Sequence, residues 1–289
     1  MAMKTQGILS KELPKLTRPI LIAGFDGWGN ALDISTGMVA YIIRKLKARS
    51  FAKINPDEFY QYDANRPLVN IVSGTMESFT PPGGTFYAVR NDSGGNDLVL
   101  LKADEPSLSW NYFVDELFSL SRTLGVITII TLGSMYDNVL HTDRIISGIA
   151  STKDLLIRLK QKNVIPVSYH GPSAIHSIIQ AEGEQRGYPC ISLWCHCPYY
   201  LQNTTHFGLL SHLSAILSSL GQFAIDAEDL DASWRELQQQ IEVLIENSNE
   251  FKTIINEIRK EKVKGSWESL KKSTKGEKVI NLTDFLKFK

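Results

Sequence analysis

A short apolar run, followed by a glycine-rich loop and an amphipathic segment, constrains this chain more than any other feature. The run covers residues 20–23, the loop holds Gly24, Gly27 and Gly29, and the amphipathic segment spans residues 33–46. Glycine allows the backbone to adopt positive φ or to come close to a neighbouring group. A strand, a tight turn and a helix in this order predict the opening unit of an α/β domain.

Further apolar, β-branched runs alternate with helical patterns along the chain. The predicted strands are 20–23, 68–72, 98–101, 126–132, 164–167 and 191–193, and the predicted helices are 34–46, 110–124, 152–159 and 173–184. Strands that alternate with helices form a mostly parallel sheet that is covered on both faces. Residues 55–58 and 151–154 each place a capping residue three positions before an acid, which predicts two further helix starts.

The pattern becomes wholly helical after Phe207. One apolar stripe holds Leu210, Leu213, Leu217 and Leu220, and a second holds Trp234, Leu237, Ile241, Leu244, Phe251, Ile255 and Ile258. This spacing suits a helix packed on another helix, either within one chain or between copies, and we expect packing within the chain. We predict a core domain over residues 1–225, a C-terminal helical segment over 226–263 and a lysine-rich tail over 264–289.

Composition excludes several classes of protein. The 31 basic residues equal the 31 acidic ones, so the overall charge gives no indication of a nucleic acid partner. No apolar run approaches the ~20 residues that span a bilayer, and the N-terminus lacks the apolar core of a signal peptide. The three cysteines do not indicate a disulfide framework. We therefore expect a cytoplasmic protein without a membrane partner.

Four segments carry a resemblance to a known family. They are 24–30 (Gly-Phe-Asp-Gly-Trp-Gly-Asn) with 51–60 and Arg66-Pro67, then 105–110, then 131–144, and last 171–175 leading through 187–189 to 192–200. In this order, over residues 18–220, they resemble the proteasome assembly chaperone 2 family, once labelled an ATP-grasp superfamily.

The resemblance implies a three-layer α/β/α core similar to purine nucleoside phosphorylases, here with a C-terminal helical extension, and often a homo-oligomer. Eukaryotic members help to assemble proteasome α-rings, some archaeal relatives bind the core particle, and many prokaryotic relatives have no assigned activity. The archaeal binders end in a hydrophobic residue, a tyrosine and one last residue, whereas this sequence ends Lys287-Phe288-Lys289. We therefore expect a chaperone-like protein that acts through protein–protein contacts and self-association, without a cofactor and without tight tail-dependent binding to a core particle.

Polar and aromatic residues at the strand ends are the candidates for ligand or partner contact, because open α/β sheets place ligands there. Backbone amides near Asp26 and Asn30 could bind an anion, although the charge of Asp26 would repel it. The alternative is that Asn30 or Asp33 caps the helix. Glu105 could serve as a catalytic acid or base. The alternative is that its side chain accepts hydrogen bonds from backbone amides, in a turn that Trp110 covers. The candidates are Asp26, Trp28, Asn30, Glu105, Trp110, His141 and Arg144.

His141 and Arg144 lie in a long loop after a predicted strand. They would recognise a phosphate or carboxylate, or His141 would be an ordinary hydrogen-bonded loop residue. The alternative function is therefore an enzyme or sensor for a small anionic or nucleoside-like ligand, with a site lined by Asp26, Asn30, Glu105 and His141.

The sequence Cys-His-Cys at residues 195–197 resembles a metal-binding cluster. Side chains alternate along a strand, so both cysteines would face one side and His196 the other. Three ligands divided in this way do not hold one ion. We expect buried cysteines and no metal.

Overall fold

The computed structural model describes residues 6–10, 12–91 and 94–263. The lysine-rich tail predicted for residues 264–289, with Phe288, lies outside the described residues. The strands are β1 (Ile8–Ser10), β2 (Ile20–Asp26), β3 (Arg49–Ile54), β4 (Leu68–Val72), β5 (Thr75–Thr80), β6 (Gly84–Val89), β7 (Leu98–Asp104), β8 (Thr128–Asp137), β9 (Ile146–Ala150), β10 (Ile165–Pro166) and β11 (Cys190–Pro198). The α-helices are α1 (Ile34–Lys45), α2 (Pro56–Phe59), α3 (Trp110–Leu124), α4 (Lys153–Gln161), α5 (Ile175–Gln185), α6 (Phe207–Gly221), α7 (Glu228–Asn247) and α8 (Asn249–Val263).

A nine-stranded sheet with the order β1-β3-β6-β7-β2-β8-β11-β9-β10 forms the centre of the molecule. Strands β7, β2, β8 and β11 run parallel to one another and form its interior. Antiparallel pairings add β6, β3 and β1 on one side and β9 on the other, and β10 then pairs with β9 in parallel. The parallel interior is the part of the sheet that the apolar runs predicted.

Helices cover both faces of the sheet, as the alternating pattern predicted. The core on one face includes Met38 of α1 and Leu213 of α6, together with apolar residues of α4, α7 and α8. The core on the other face includes Phe59 of α2, Phe113 of α3 and Ile179 of α5. The chain therefore has a three-layer α/β/α fold.

Two local predictions were wrong, and a third was confirmed only in part. Residues 68–72 form a strand, but β4 pairs only with β5 in a separate two-stranded sheet and all its residues are exposed. Helix α4 is capped by Thr152, because Ser151 Oγ already accepts a hydrogen bond from the Cys190 amide of β11 at 2.9 Å. Helix α2 begins as predicted, with Asn55 at the capping position and Pro56 in its first turn, but the Asn55 side chain makes no capping bond; its Nδ2 donates to the Gln6 carbonyl at 2.9 Å.

The second apolar stripe forms two helices, which Ser248 separates. Trp234 and Ile241 of α7 and Phe251 and Ile255 of α8 are buried in the same core as α6. The expected packing within one chain is confirmed. Among the described residues, no helix is both long and apolar enough to cross a membrane.

Candidate functional site

The carboxyl ends of the four interior strands meet at one edge of the sheet. Strands β2, β7, β8 and β11 are parallel and end at Asp26, Asp104, Asp137 and Pro198, respectively. The loops that hold the candidates all follow one of these ends. The side chains nevertheless form two clusters, an open one around Asp26 and Glu105 and a covered one around His141.

Asp26 and Asn30 organise the first loop. Asp26 Oδ1 accepts from the Gly27 amide and from Asn30 Nδ2, both at 2.9 Å. Asn30 Oδ1 accepts from the amides of Ser35 at 2.9 Å and Thr36 at 3.3 Å, in the first turn of α1. Asn30 therefore caps the helix and occupies the amides that would otherwise bind an anion. Gly27 has φ of +128°, a conformation that side-chain-bearing residues rarely adopt.

Glu105 joins three of the family segments. Its backbone amide donates to the Asp26 carbonyl at 2.7 Å, and its Oε1 accepts from the Ile175 amide, the first of α5, at 2.7 Å. A carboxylate at a helix N-terminus is stabilised by the helix dipole. Glu105 thus accepts a backbone amide, which is one of the two roles that the sequence predicted, and the next helix begins at Trp110, as expected. Trp110 covers this turn through a hydrogen bond from Nε1 to the Pro106 carbonyl.

Beside this loop, an exposed tryptophan lies on a partly buried tryptophan, which in turn lies on a buried histidine. Trp28 is 63% exposed and meets Trp194 edge-on at 6.5 Å between ring centroids. Trp194 in turn packs on His176 at 4.9 Å. Gly133 makes room for this arrangement, because a Cβ atom there would lie 2.7 Å from Trp194 Cδ2.

His176 is neutral at this site. Its Nε2 donates to the Leu132 carbonyl at 2.7 Å, and burial lowers the pKa of the ring to about 4. With the proton on Nε2, the buried Nδ1 is an acceptor, and it has no hydrogen-bond partner among the described residues.

His141 lies in the covered cluster, beneath the C-terminal helices, and Arg144 lies beside this cluster as an exposed residue. The His141 amide donates to Tyr200 Oη at 2.6 Å, and the Tyr200 hydroxyl lies 2.9 Å from His141 Nδ1, where it donates to the neutral ring. Burial lowers the pKa of His141 to about 4. The Arg144 guanidinium lies 6.0 Å from the ring centroid of Trp234 in α7, and Trp234 also stacks on His206 at 4.7 Å.

A hydrogen-bonded Asp-His-Ser chain was not predicted from the sequence. His196 Nδ1 lies 2.6 Å from Asp137 Oδ2, and its Nε2 lies 2.8 Å from Ser147 Oγ. Because a carboxylate only accepts, Nδ1 carries a proton, and in the neutral form of the ring Nε2 accepts from the serine hydroxyl. The three residues belong to β8, β9 and β11, and only the register of these strands would have revealed them. Ser147 is 4% exposed.

The Cys-His-Cys segment alternates along β11 as predicted. Cys195 and Cys197 are buried in the core on the α1 face, and His196 points to the opposite face, where Ser147 lies. Burial raises the pKa of Cys195 to about 12, so the thiol is protonated at neutral pH. Within the described ranges, no group of three or more histidine, cysteine or acidic residues is placed to hold a metal ion.

Comparison with known proteins gives the family of the chain. The crystal structure of a PAC2 family protein from Streptomyces avermitilis is 28% identical, with a TM-score of 0.73, and the match covers 82% of this chain and 99% of that one. A proteasome-assembly chaperone homologue from Mycobacterium tuberculosis is 24% identical, with a TM-score of 0.75 and coverage of 82% and 99%. PbaB of Pyrococcus furiosus, an archaeal proteasome activator, is 19% identical, with a TM-score of 0.64 and coverage of 84% and 99%.

No curated protein matches the sequence. The sequence model of the PAC2 family matches residues 21–245, which is most of the chain and includes both clusters at the sheet edge. This chain belongs to the PAC2 family.

Proposed function

We propose that this protein is a chaperone-like protein that acts through protein–protein contacts, and that the open cluster at the sheet edge is its partner-binding surface. The supporting relatives are a proteasome-assembly chaperone homologue and an archaeal proteasome activator, which share the fold. The partner that these relatives suggest is a proteasome subunit.

The observation that carries this proposal is the pair of exposed aromatic side chains at the edge. Trp28 is 63% exposed and Tyr136 is 46% exposed. Their backbones are held together, because the Ser134 amide of β8 donates to the Gly29 carbonyl at 2.8 Å. Tryptophan and tyrosine dominate the binding energy of protein interfaces, and an exposed rigid aromatic is typical of such a surface.

The polar candidates of both clusters have contacts that suit a structural role. Asn30 caps α1, Glu105 accepts the first amide of α5, and His141 is held by Tyr200. Groups that are already hydrogen-bonded hold the loops in place for a partner, whereas chemistry requires groups that are available to a substrate.

A binding assay with purified proteasome α subunits and assembled core particle tests the proposal. We expect co-sedimentation of the wild-type chain, and a loss of about tenfold or more in affinity for Trp28→Ala, as found for central aromatic anchors. Tyr62→Ala is the control, because Tyr62 is also an exposed aromatic, at 38%, and its hydroxyl donates to Asp57, which is not a residue of this cluster. Equal binding by the wild type and Trp28→Ala, or no binding by the wild type to either probe, would contradict the proposal.

One observation favours a second candidate function, that of a hydrolytic enzyme. The contacts among Asp137, His196 and Ser147 have the order of an acid, a base and a nucleophile. The burial of Ser147 within the sheet makes this candidate the weaker one. A fluorophosphonate probe should label the wild-type chain but not Ser147→Ala if the candidate is correct, and an unlabelled wild-type chain excludes it.

A further inference from the structure

Two buried histidines of the core lie directly beneath the C-terminal helices. His206 precedes α6 and stacks on Trp234 of α7, with 4.7 Å between the ring centroids and 12° between the planes. His141, in the loop after β8, meets the same indole at 6.4 Å. Gly208 permits this close packing, because a Cβ atom there would lie 2.8 Å from Trp234 Cδ2. Helix α7 therefore rests on two titratable rings.

Both rings serve as hydrogen-bond acceptors, which requires that they are neutral. His206 Nδ1 accepts from the Leu209 amide at 3.2 Å and thereby caps α6. His141 Nδ1 accepts from the Tyr200 hydroxyl at 2.9 Å. A proton on either Nδ1 removes this acceptor. Tyr200 in turn packs edge-on against Phe251 of α8 at 5.3 Å, so the second C-terminal helix rests on the same cluster.

Burial keeps both rings uncharged while the helices cover them. It lowers the pKa of His141 to about 4 and that of His206 to about 3, and it also lowers the pKa of the partly buried His212 of α6. Positive neighbours lower these pKa values further, and carboxylates raise that of His141. Among the described residues, the charged groups that act on the rings are Asp143 and Arg144 of the loop after β8, Glu242 of α7 and Arg259 of α8.

The indole of Trp234 would attract a charged ring, but it already has a cation beside it. The Arg144 guanidinium lies 6.0 Å from the centroid of the same ring. A protonated His206 would therefore add a second positive charge at a fully buried position.

We propose that His141 and His206 form a pH-sensitive latch, which holds α7 and α8 on the core at neutral pH and loosens in mildly acidic solution. Loosening would uncover Tyr200 and the rest of the covered cluster at the sheet edge. This inference is independent of the partner-binding surface proposed above, because neither histidine belongs to the open cluster.

Another polar contact between α7 and the core keeps its charge in this pH range. Asp229 accepts from Tyr41 Oη at 2.7 Å and pairs with Lys45 Nζ at 3.1 Å. The hydrogen bond from Tyr41 lowers the pKa of Asp229, and the hydrogen bond with Asp229 raises the pKa of Lys45. Both groups therefore stay charged from pH 7 to pH 5. The histidines are the groups whose charge changes there.

Proton binding sets the size of the effect. After release, both rings would have the ordinary histidine pKa of ~6.5, whereas the covered rings bind few protons above pH 5. The latch is therefore firmest above pH ~6.5 and weakens as the pH falls toward the lower pKa values of the covered rings. Between pH 7 and pH 5, the equilibrium constant for opening should rise about 20-fold for each histidine and about 400-fold for both.

Hydrogen–deuterium exchange of the full chain, corrected for the pH dependence of the intrinsic exchange rate, tests the proposal. We expect the protection of α7 and α8 to fall about 400-fold between pH 7 and pH 5, while α3, on the other face of the sheet, stays better protected. His141→Asn and His206→Asn each keep an acceptor near the position of Nδ1 but do not titrate. Each should reduce the fall to about 20-fold, and the double variant should remove most of it. His170→Asn is the matched control, because His170 is an exposed histidine, and it should show the full fall.

The ratio of protection between the two pH values decides, because a purely structural role of these residues would change the level of protection at both. Circular dichroism at pH 7 checks that each variant is folded. Protection of α7 and α8 that is the same at pH 7 and pH 5 overturns the proposal. An equal loss of protection in α3 also overturns it, since the whole domain would then unfold, and so does a fall of wild-type size in the double variant.

Discussion

Replacement of Glu105 tests whether this carboxylate connects two loops or takes part in chemistry. Its Oε1 accepts from the Ile175 amide at 2.7 Å, although the two residues are 70 positions apart. The residue that precedes α5 is Ala174, whose side chain supplies no cap, so Glu105 performs the capping from another part of the chain. The two substitutions Glu105→Ala and Glu105→Gln remove different parts of this contact.

The expected losses follow from the contact. Glu105→Ala leaves the amide of the fully buried Ile175 without its acceptor, which costs about 1–3 kcal/mol in the free energy of unfolding. Glu105→Gln retains a carbonyl acceptor and removes only the attraction between a negative charge and the helix N-terminus, which is about 0.3–1 kcal/mol. Because the alanine variant loses this attraction as well as the acceptor, it should lose about 1–3 kcal/mol more than the glutamine variant.

Urea denaturation at pH 7, followed by circular dichroism, gives both losses. Glu184→Ala is the control, because Glu184 is an exposed glutamate of the same helix, and its loss should be within about 0.5 kcal/mol of zero. Equal losses in the two Glu105 variants would refute the capping role. If Glu105→Gln kept its stability but lost a measured activity as completely as Glu105→Ala, the carboxylate would be a chemical group after all.

Two further predictions concern the aromatic packing and the buried histidines. Gly133→Ala should lower the free energy of unfolding by about 1–3 kcal/mol, because its Cβ would lie 2.7 Å from Trp194. Gly37→Ala is the control, since Gly37 has open space around it in α1 and the substitution should not lower the free energy of unfolding. Thermal unfolding measures both variants, and equal midpoints would contradict this packing. Burial lowers the pKa of His141 and His176 to about 4. In the unfolded chain these rings have the ordinary histidine pKa of ~6.5, so between pH ~6.5 and pH 4 the unfolded chain binds protons that the folded chain does not. The free energy of unfolding is therefore highest above pH ~6.5 and decreases as the pH falls toward 4. Urea denaturation should show a loss on the order of 1–2 kcal/mol per histidine between pH 7 and pH 5, and this loss should be smaller in His141→Gln. A flat profile would show that the pKa of these rings is the same in the folded and the unfolded chain.

The prediction from the sequence succeeded best in the interior of the main sheet, where the residues on both faces of each strand are apolar. Strands β2, β7 and β8 are of this kind, because helices cover the sheet on each side of them. Strand β3 was missed because it lies toward one side of the sheet and alternates between exposed and buried residues. The run at 68–72 was predicted as a strand of the main sheet because its residues are apolar. An apolar run indicates that a strand forms, but it does not indicate which strand it pairs with or which surface covers it.

The same distinction applies to the site. The capping role of Asn30 is local, since its acceptor amides follow within six residues, and the sequence offered it as one of two readings. The contact of Glu105 with Ile175 and the contacts of His196 with Asp137 and Ser147 join distant segments. No spacing rule predicts such contacts, because they depend on which strands are neighbours.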